Sequence, residues 1–442
     1  MPPLFGTDGI RGVANRDLTP DLALALGRAA GRVLAPDGGE VVVGRDTRLS
    51  GPMLEAALVA GLASSGVHVR LAGILPTPAV AYLTLEEKAA AGSVISASHN
   101  PVPDNGIKFF SAEGVKIPGT TEEAIERLMR EPPKDLPIGE AVGLSEPLDD
   151  AEDRYVDHLL ATIEKPLTGL RVVLDCAYGA AFHVAPRAFR EAGAEVTALH
   201  AEPDGSRINV ACGSTDLHRL ADVVVAEGAD VGLAFDGDGD RVLAVDERGR
   251  HVDGDELIAM LALDLLERGE LRNRTVVATV MANLGFRKVL EEHGIAVIET
   301  PVGDKYVAEE MNAVGAVLGG EQSGHIIFGD HSTTGDGTLA GLQIAEIVAL
   351  SDDTLSRLSA VFEPYPQVLI NVPVKTKEGL DADEELWSEV RGQEAKLADT
   401  GRILLRPSGT EPVIRVMVEA SEDATAREVA EGLAAVVKKR FG

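Results

Sequence analysis

Apolar and polar positions follow two periods in turn along most of the chain. Behind Thr19-Pro20, apolar residues recur at helical spacing to about Leu34, and Val41-Val42-Val43 then predicts a buried strand. Ser50-Gly51-Pro52 opens a second helix, and residues 67–71 predict the next strand. Buried strands separated by helices indicate parallel sheets with right-handed crossovers.

This strand–helix–strand pattern recurs twice further along the chain. The first strand returns at 171–175 and 275–279, and the second at 195–199 and 295–299. In each copy a third apolar strand then runs into a polar loop of small residues. The three loops are residues 96–100, 236–240 and 320–324. We infer three diverged copies of one α/β unit.

The pattern changes near Gln367. Strands at 368–374, 403–405 and 413–418 precede a helix from about 424 to 439, which is typical of a small α+β domain. The expected fold is therefore α/β, with three similar α/β domains of mixed, mostly parallel sheets and a C-terminal α+β domain, arranged around a central cleft. The predicted domains are residues 1–153, 154–253, 254–365 and 366–442.

Composition narrows the class of protein. The 442 residues are 45% hydrophobic and 25% charged, as in globular proteins, and 41 basic against 71 acidic residues give a net charge of −30. This charge repels nucleic acid and anionic membranes, so we expect neither as a partner. Two cysteines exclude a disulfide framework and a cysteine-rich zinc site. No signal peptide is visible, and no apolar run approaches the roughly 20 residues that span a bilayer, so we expect a cytoplasmic protein.

The loop at 236–241 carries three aspartates at alternate positions. Asp236, Asp238 and Asp240, separated by glycines, can surround a hard cation with oxygen ligands, and Mg²⁺ suits such a site. A calcium EF-hand loop fits less well, because Arg241 stands at the sixth position, where the turn needs Gly. The same pattern also fits a solvated acidic turn, or a phosphatase with Asp236 as nucleophile and Asp238 as acid.

The loop at 96–101 offers a hydroxyl nucleophile. Ser98 precedes His99, but adjacency does not establish that the two pair, and the Gly-x-Ser-x-Gly pattern of acyl hydrolases is missing. Such a serine on its own is commonly a turn former or helix cap. A hydroxyl beside a metal loop instead suits phosphoryl transfer, in which positioning and charge neutralisation supply most of the catalysis.

Further loops offer groups that bind phosphate and sugar. Residues 406–410 supply a guanidinium, two hydroxyls and a backbone that can form an anion nest, with Arg415 on the next strand. Glu321 and Ser323 can accept from and donate to neighbouring sugar hydroxyls. Lys108 is a candidate for proton transfer or phosphate neutralisation, or is simply a solvated lysine.

These motifs together resemble the α-D-phosphohexomutases over the full length of the chain. The matching segments, in order, are Gly6-Thr-Asp-Gly-Ile-Arg-Gly12, Ile95-Ser-Ala-Ser-His-Asn-Pro101, Asn105-Gly-Ile-Lys-Phe-Phe110, Asp236-Gly-Asp-Gly-Asp-Arg241, Gly320-Glu-Gln-Ser-Gly-His325 and Arg406-Pro-Ser-Gly-Thr-Glu-Pro412. The fifth segment, with Thr333-Thr-Gly-Asp-Gly337 after it, is most similar to the bacterial members that act on glucosamine phosphates. Pro407 departs from the family, where Thr or Ala is common.

The resemblance implies a role for each candidate residue. Ser98 carries a phosphoryl group, and Mg²⁺ is held by Asp236, Asp238, Asp240 and a phosphoserine oxygen. Glu321 and Ser323 bind sugar hydroxyls. The phosphate that is not transferred is held by Arg406, Ser408, Gly409, Thr410 and Arg415. The other catalytic positions are His99, Lys108, Arg11 and His325, and the sequence leaves open which group is the base.

The resemblance also implies the reaction. Phosphoserine would donate its phosphoryl group to glucosamine 6-phosphate, giving glucosamine 1,6-bisphosphate, which is both intermediate and activator. Ser98 would then take back the 6-phosphate, leaving glucosamine 1-phosphate. The expected partner is thus a phosphorylated amino sugar, and the expected state is a monomer or homodimer. The motifs are also compatible with a mutase for mannose or glucose phosphates, a magnesium phosphatase using Asp236 and a non-catalytic metal-binding scaffold.

Overall fold

The structure is a computed structural model that describes residues 4–6, 8–131, 135–408 and 412–442. The chain divides into two compact units. The first comprises Met1–Met281 with Ile295–Ala360, and the second comprises Ala282–Gly294 with Val361–Gly442. The first unit contains the first two α/β domains and most of the third.

The first domain has a six-stranded sheet in the order β1-β5-β4-β2-β3-β6. Its strands are β1 (Ile10–Val13), β2 (Gly39–Arg45), β3 (Val67–Ile74), β4 (Ala91–Ile95), β5 (Asp104–Ser111) and β6 (Ser145–Pro147), and its helices are α1 (Pro20–Leu34), α2 (Gly51–Ser64), α3 (Thr77–Glu86) and α4 (Gly119–Met129). Helix α1 begins where predicted, because Thr19 Oγ1 accepts from Leu22 N at 3.2 Å.

Helices α1 and α2 pack closely through two glycines. A Cβ added to Gly27 would lie 2.3 Å from Leu58 O, and one added to Gly61 would lie 2.3 Å from Leu24 O. The two backbones can therefore touch only because both positions lack a side chain.

The second domain has a five-stranded sheet in the order β11-β10-β9-β7-β8. Its elements are α5 (Ala151–Leu160), β7 (Arg171–Asp175), α6 (Val184–Glu191), β8 (Glu195–Leu199), α7 (His218–Glu227), β9 (Val231–Phe235), β10 (Val242–Asp246) and β11 (His251–Val252). Strands β7, β8 and β9 are parallel, and β10 and β11 are antiparallel additions.

The third domain has a four-stranded sheet in the order β13-β12-β14-β15. The elements from residue 254 to residue 358 are α8 (Gly254–Arg268), β12 (Thr275–Thr279), α9 (Leu284–Glu292), β13 (Ala296–Thr300), α10 (Asp304–Val314), β14 (Leu318–Gly320), β15 (Ile326–Phe328), α11 (Gly337–Leu350) and α12 (Leu355–Leu358). Of these, α9 belongs to the second compact unit.

The predicted repeat is confirmed by strand order. Each domain contains four strands in one shared order. The strand that follows the polar loop, here called the return strand, pairs with the third strand, the third pairs with the first, and the first pairs with the second. These sets are β5-β4-β2-β3, β10-β9-β7-β8 and β15-β14-β12-β13. In each, the third strand is parallel to the first and the return strand is antiparallel. The three polar loops join the third strand to the return strand. They therefore lie at the carboxyl end of the parallel strands, where ligands bind in such sheets.

The second unit contains the C-terminal domain, an antiparallel sheet in the order β16-β18-β17. Its remaining elements are β16 (Gln367–Pro373), α13 (Glu384–Leu397), β17 (Gly401–Pro407), β18 (Val413–Ala420) and α14 (Asp423–Phe441). The sequence predicted the strands and the last helix but missed α13. The domain has a core of its own between the sheet and α13 and α14.

These domains confirm the predicted fold class. The boundaries at 153, 253 and 365, and the arrangement of the domains around a central cleft, stay predictions. Among the described residues, every helix is too short or too polar to cross a lipid bilayer.

Candidate active site

Ser98 lies in the loop after β4 with an unusual backbone. Its φ is 50°, in the left-handed region that residues other than glycine rarely adopt, and its side chain is buried. Its N–H donates to Ser96 Oγ at 2.9 Å, and Ser96 Oγ donates to Asp46 Oδ2 at 2.6 Å. Such a conformation persists when surrounding contacts fix it, and these contacts do so here.

Arg48 holds the same loop by its carbonyl oxygens. The guanidinium is fully buried and pairs with Asp46 at 2.9 Å. It donates to Ser98 O at 3.0 Å and to Asn100 O at 2.7 Å, and two further bonds reach Pro101 O at 2.7 Å and Asp104 O at 2.9 Å. A single buried side chain thus fixes the course of the loop on both sides of Ser98.

A contact from the second domain completes this support. Asn209 Nδ2 donates to Ser98 O at 2.9 Å and to Asn100 O at 3.3 Å. The first two α/β domains therefore both set the position of Ser98.

The aspartate loop meets Ser98 directly. Ser98 Oγ donates to Asp236 Oδ2 at 2.5 Å. One carboxylate oxygen each of Asp236, Asp238 and Asp240 lies within 4.8 Å of the others, and all three residues are buried. The predicted nucleophile and the predicted metal ligands thus converge, although 138 residues separate Ser98 from Asp236.

All three α/β domains hold the backbone of the aspartate loop. Thr77 N donates to Asp238 O at 2.8 Å, Ala180 N to Gly237 O at 2.8 Å, and Gly337 N to Gly239 O at 3.0 Å. A Cβ at Gly237 would lie 2.5 Å from Ser98 O, so this position requires glycine. The close approach of the two loops depends on that missing side chain.

The electrostatics of the cluster call for positive charge. Burial, together with the charges of Asp240 and Asp238, raises the pKa of Asp236 well above its ordinary value. Lys108 Nζ lies 2.7 Å from Asp238 Oδ2 and 3.6 Å from Asp240 Oδ2. Burial lowers the pKa of the Lys108 ammonium, but the charges of Asp238 and Asp8 outweigh burial and raise it. Lys108 is accordingly a cation. Arg241 adds a second positive charge, with Nε 3.9 Å from Asp240 Oδ1, so two cations face three carboxylates.

The donor set fits a divalent cation. Asp238 Oδ1 and Asp240 Oδ1 are buried and accept no hydrogen bond from the part of the chain that the structure describes. Unpaired buried carboxylate oxygens are costly unless they coordinate a metal. An all-oxygen set of this kind suits Mg²⁺.

Two histidines lie beside this cluster. His99 Nδ1 is 3.2 Å from Ser98 Oγ, and burial and the charges of Arg241 and Arg11 lower the pKa of His99 to about 4. His99 is therefore neutral at pH 7. His325 Nε2 accepts from Gly335 N at 3.0 Å, so Nδ1 carries the proton, and Nδ1 faces Asp240 Oδ1 at 3.8 Å.

Arg11 and Glu321 lie at the edge of the same unit. Arg11 donates to Asn100 Oδ1 at 3.4 Å and pairs with Asp8. Glu321 Oε1 accepts from Gly303 N at 3.1 Å. Ser323, two residues further along, is exposed. Glu321 and Ser323 thus stand at the accessible end of the loop that carries His325.

The phosphate-binding candidates lie in the second unit. Arg406 and Arg415 are directly opposite each other in the β17–β18 pair. Burial and the charge of Arg415 lower the pKa of Arg406, so an anion between the two would relieve their repulsion. Ser408 Oγ is 3.5 Å from Arg415, and Lys377 Nζ donates to Ser408 O at 2.6 Å. Gly409 and Thr410 lie outside the described residues.

Family models match the four domains in order. They are described as phosphoglucomutase/phosphomannomutase α/β/α domain I, matching residues 2–135, domain II, matching 153–249, domain III, matching 253–365, and the C-terminal domain, matching 369–436. The chain belongs to the phosphoglucomutase/phosphomannomutase family.

Members of this family are similar to the chain over its whole length. A phosphoglucosamine mutase of Frankia casuarinae is 56% identical, covering 99% of the chain and 98% of the relative. One of Carboxydothermus hydrogenoformans is 52% identical, covering 99% and 100%. A solved phosphoglucomutase/phosphomannomutase family protein from Burkholderia thailandensis has a TM-score of 0.83 at 28% identity, covering 99% and 97%.

A more distant solved structure shares the fold. It is an N-acetylphosphoglucosamine mutase of Aspergillus fumigatus, in complex with GlcNAc-6P and magnesium. Its TM-score is 0.73 at 18% identity, covering 99% of the chain and 96% of that structure. The family assignment makes the protein an isomerase that transfers phosphoryl groups, and members of the family depend on a metal ion.

Three residues that hold the backbone around Ser98 were not identified from the sequence: Asp46, Arg48 and Asn209. Asp46 and Arg48 follow the buried strand β2, in Gly44-Arg-Asp-Thr-Arg48, and charged residues directly after a buried parallel strand were the available signal. Asn209 carried no such signal, because it lies in an irregular segment 111 residues from Ser98.

Proposed function

We propose that the chain interconverts glucosamine 6-phosphate and glucosamine 1-phosphate through a phosphoserine at Ser98. The product would supply the synthesis of amino-sugar nucleotides and cell-wall precursors. The observation that carries the proposal is the 2.5 Å contact between Ser98 Oγ and Asp236 Oδ2, within a buried cluster of three carboxylates. The sugar is assigned from the phosphoglucosamine mutases that are 52–56% identical to the chain.

The reaction is two phosphoryl transfers of opposite direction. In the first, the bond between phosphorus and Ser98 Oγ breaks, a bond to the sugar hydroxyl oxygen forms, and the hydroxyl proton ends on Ser98 Oγ. Glucosamine 1,6-bisphosphate then reorients, so that its other phosphate faces Ser98. The bond between its other phosphorus and sugar oxygen O6 breaks, a bond from that phosphorus to Ser98 Oγ forms, and the Ser98 proton ends on O6. These changes restore the phosphoserine and leave glucosamine 1-phosphate. Lys108 supplies positive charge to the aspartate loop, with Nζ 2.7 Å from Asp238 Oδ2, and His99 Nδ1 lies 3.2 Å from Ser98 Oγ.

Mg²⁺ would be held by Asp236, Asp238, Asp240 and a phosphoserine oxygen, where it would neutralise charge on the transferring group. Residues of the chain position the nucleophile and surround the carboxylates. Arg48 and Asn209 orient the Ser98 backbone, and Arg11 and His325 flank the cluster.

Substrate binding uses two further groups of residues. Glu321 and Ser323 would bind sugar hydroxyls in either orientation of the bisphosphate. Arg406, Ser408 and Arg415, with Gly409 and Thr410, would hold the phosphate that is not transferred. Guanidinium groups and a hydroxyl favour a phosphate without distinguishing which sugar carbon bears it. A cytoplasmic location and a monomeric or homodimeric state stay predictions.

One incubation separates the candidate functions. The protein is mixed with glucosamine 6-phosphate, Mg²⁺ and a trace of glucosamine 1,6-bisphosphate, and products are resolved by phosphorus NMR. We expect glucosamine 1-phosphate, turnover faster than with mannose or glucose 6-phosphate, and none after chelation with EDTA until Mg²⁺ is returned. Free phosphate without isomerised sugar would instead indicate the phosphatase.

The nucleophile is tested by Ser98→Ala. We expect turnover to fall by at least about 10³-fold, since the oxygen that carries the phosphoryl group is gone. Ser64→Ala is the matched control, because Ser64 lies at the end of α2 and its hydroxyl bonds Arg28 and Gly61 O of its own helix. Unchanged turnover in Ser98→Ala would refute the assignment.

A further inference from the structure

A second cluster of potential metal ligands lies in the second domain, apart from the aspartate loop. It consists of Asp175, His200 and Cys212, each of which offers one donor atom, and these atoms lie within 4.8 Å of one another. Asp175 ends β7, and His200 follows β8, its parallel neighbour. Cys212 lies in the irregular segment between β8 and α7.

Asp175 is a buried carboxylate with little compensation. Its Oδ1 accepts from Ala177 N at 3.0 Å and from His200 Nδ1 at 2.9 Å. Its Oδ2 is buried and has no hydrogen-bond partner among the described residues. Within the same part of the chain, His200 is the only basic side chain paired with Asp175. A carboxylate in this position is costly unless a cation offsets its charge.

The other two side chains are suited to completing a site. Cys212 is fully buried, and its sulfur lies 4.0 Å from Arg207 O. The His200 side chain is 20% exposed, which provides a route for an ion from solvent. Tetrahedral zinc bonds of about 2.0–2.3 Å place neighbouring donors roughly 3.3–3.6 Å apart, so small side-chain movements would bring the three into range.

We propose that Asp175, His200 and Cys212 form a second metal site, which takes Zn²⁺ or a similar borderline divalent ion. One thiolate, one imidazole and one carboxylate make a zinc-type set, with a fourth position left for water. The sulfur distinguishes this site from the all-oxygen aspartate loop, which suits Mg²⁺. On binding, the metal replaces the thiol proton of Cys212, which passes to solvent.

The site would act on the segment between its ligands. His200 and Cys212 bracket Asn209, whose amide donates to Ser98 O. A bound ion would therefore fasten both ends of the segment that supports the nucleophile. The proposal concerns structure and holds for any sugar substrate.

Co²⁺ is the probe for the test, because a cobalt–thiolate bond gives a near-ultraviolet charge-transfer band that oxygen ligands do not give. The full-length protein, stripped of metal, is titrated with Co²⁺ and the absorption spectrum is recorded. We expect this band at one equivalent, its displacement by Zn²⁺, and its loss in Cys212→Ser. The matched control is Cys176→Ser, which removes the other buried cysteine and keeps the band.

Two further variants keep the test decisive. Asp238→Asn disturbs the aspartate loop and should leave the band unchanged. His200→Ala, at a half-buried position, should weaken Co²⁺ binding at least tenfold if Cys212→Ser fails to fold. The proposal would be overturned if the wild-type protein gave no thiolate band or if the band survived Cys212→Ser. It would also be overturned if His200→Ala bound Co²⁺ with unchanged affinity.

Discussion

Ser98 shows how a catalytic side chain is positioned through its backbone. Its left-handed conformation is fixed by Ser96 at the N–H and by Arg48 and Asn209 at the carbonyl. The hydroxyl oxygen itself bonds Asp236 and faces His99. The orientation of Oγ toward Asp236 is thus set by neighbours that need not contact the substrate.

Asn209→Asp tests this positioning with an isosteric change. The substitution replaces an amide donor by a carboxylate oxygen, which would be repelled by Ser98 O and Asn100 O. We expect kcat to fall about 10- to 100-fold, equivalent to about 1–3 kcal/mol, with KM changing much less.

Asn209→Ala is the companion variant. It removes the donor without adding repulsion, so we expect a smaller loss of kcat. Melting temperatures of both variants separate positioning from general destabilisation. Equal kcat in Asn209→Asp and the wild-type protein would show that the amide does not position Ser98.

At the level of elements, two kinds of helical glycine have opposite roles. Gly61 allows the close packing of α1 and α2, whereas Gly432 in α14 has open space around it. We expect Gly61→Ala to destabilise the fold by about 1–3 kcal/mol through overpacking, and Gly432→Ala to stabilise it by up to about 1 kcal/mol through helix propensity. Chemical denaturation measures both, and a stabilised Gly61→Ala would contradict the packing.

Helix α11 contains a pH-sensitive cap. Asp336 Oδ1 accepts from Leu339 N at 2.9 Å, Tyr155 donates to Oδ2 at 2.6 Å, and burial raises the pKa of Asp336 from 3.8 to about 6. Because the folded-state pKa is the higher one, Asp336 favours the folded state when protonated. This contribution is lost as the pH rises from about 4 to about 6.

Asp336→Asn should remove that pH dependence. The difference in unfolding free energy, variant minus wild type, is expected to increase by up to about 3 kcal/mol between pH 4 and 6. Tyr155→Phe removes a donor that lowers this pKa, so the loss should then occur at higher pH. Denaturation across this range measures the difference, and a flat difference for Asp336→Asn would contradict the raised pKa.

Elements with local signals were predictable from sequence. Helix α1 has its capping Thr19 and its first-turn proline, and each catalytic loop follows an apolar strand. Helix α13 was missed because its buried side chains, Leu386, Val390 and Leu397, are widely spaced in a charged segment. Arg48 and Asn209 were missed because they bind backbone carbonyls, and such contacts leave no pattern in the side chains of the partner segment.

For the whole molecule, two compact units with separate cores predict more than one unfolding step. The only tryptophan, Trp387, lies in α13 of the second unit. Its fluorescence therefore reports on that unit, whereas far-ultraviolet circular dichroism reports on the entire chain.

Leu433→Ala should make the two signals diverge. Leu433 is buried in the core of the second unit, so its truncation should cost about 2–5 kcal/mol there. We expect the fluorescence transition to move to lower denaturant while most of the circular dichroism transition stays in place. Leu58→Ala, in the core of the first domain, is the control that should move the dichroism alone. Coincident transitions in both variants would indicate a single cooperative unit.

The aspartate loop, whose backbone receives N–H groups from three domains, limits how this gene can be divided or recombined. A polypeptide shortened to residues 1–253 would retain Ser98 and the three aspartates of the loop but would lose the Gly337 amide and His325. If one α/β domain were exchanged for that of a homologue, catalysis would likewise be preserved only if the new domain placed its N–H group against the same carbonyl of the aspartate loop. A gene fragment that encodes a single α/β domain therefore cannot form this site.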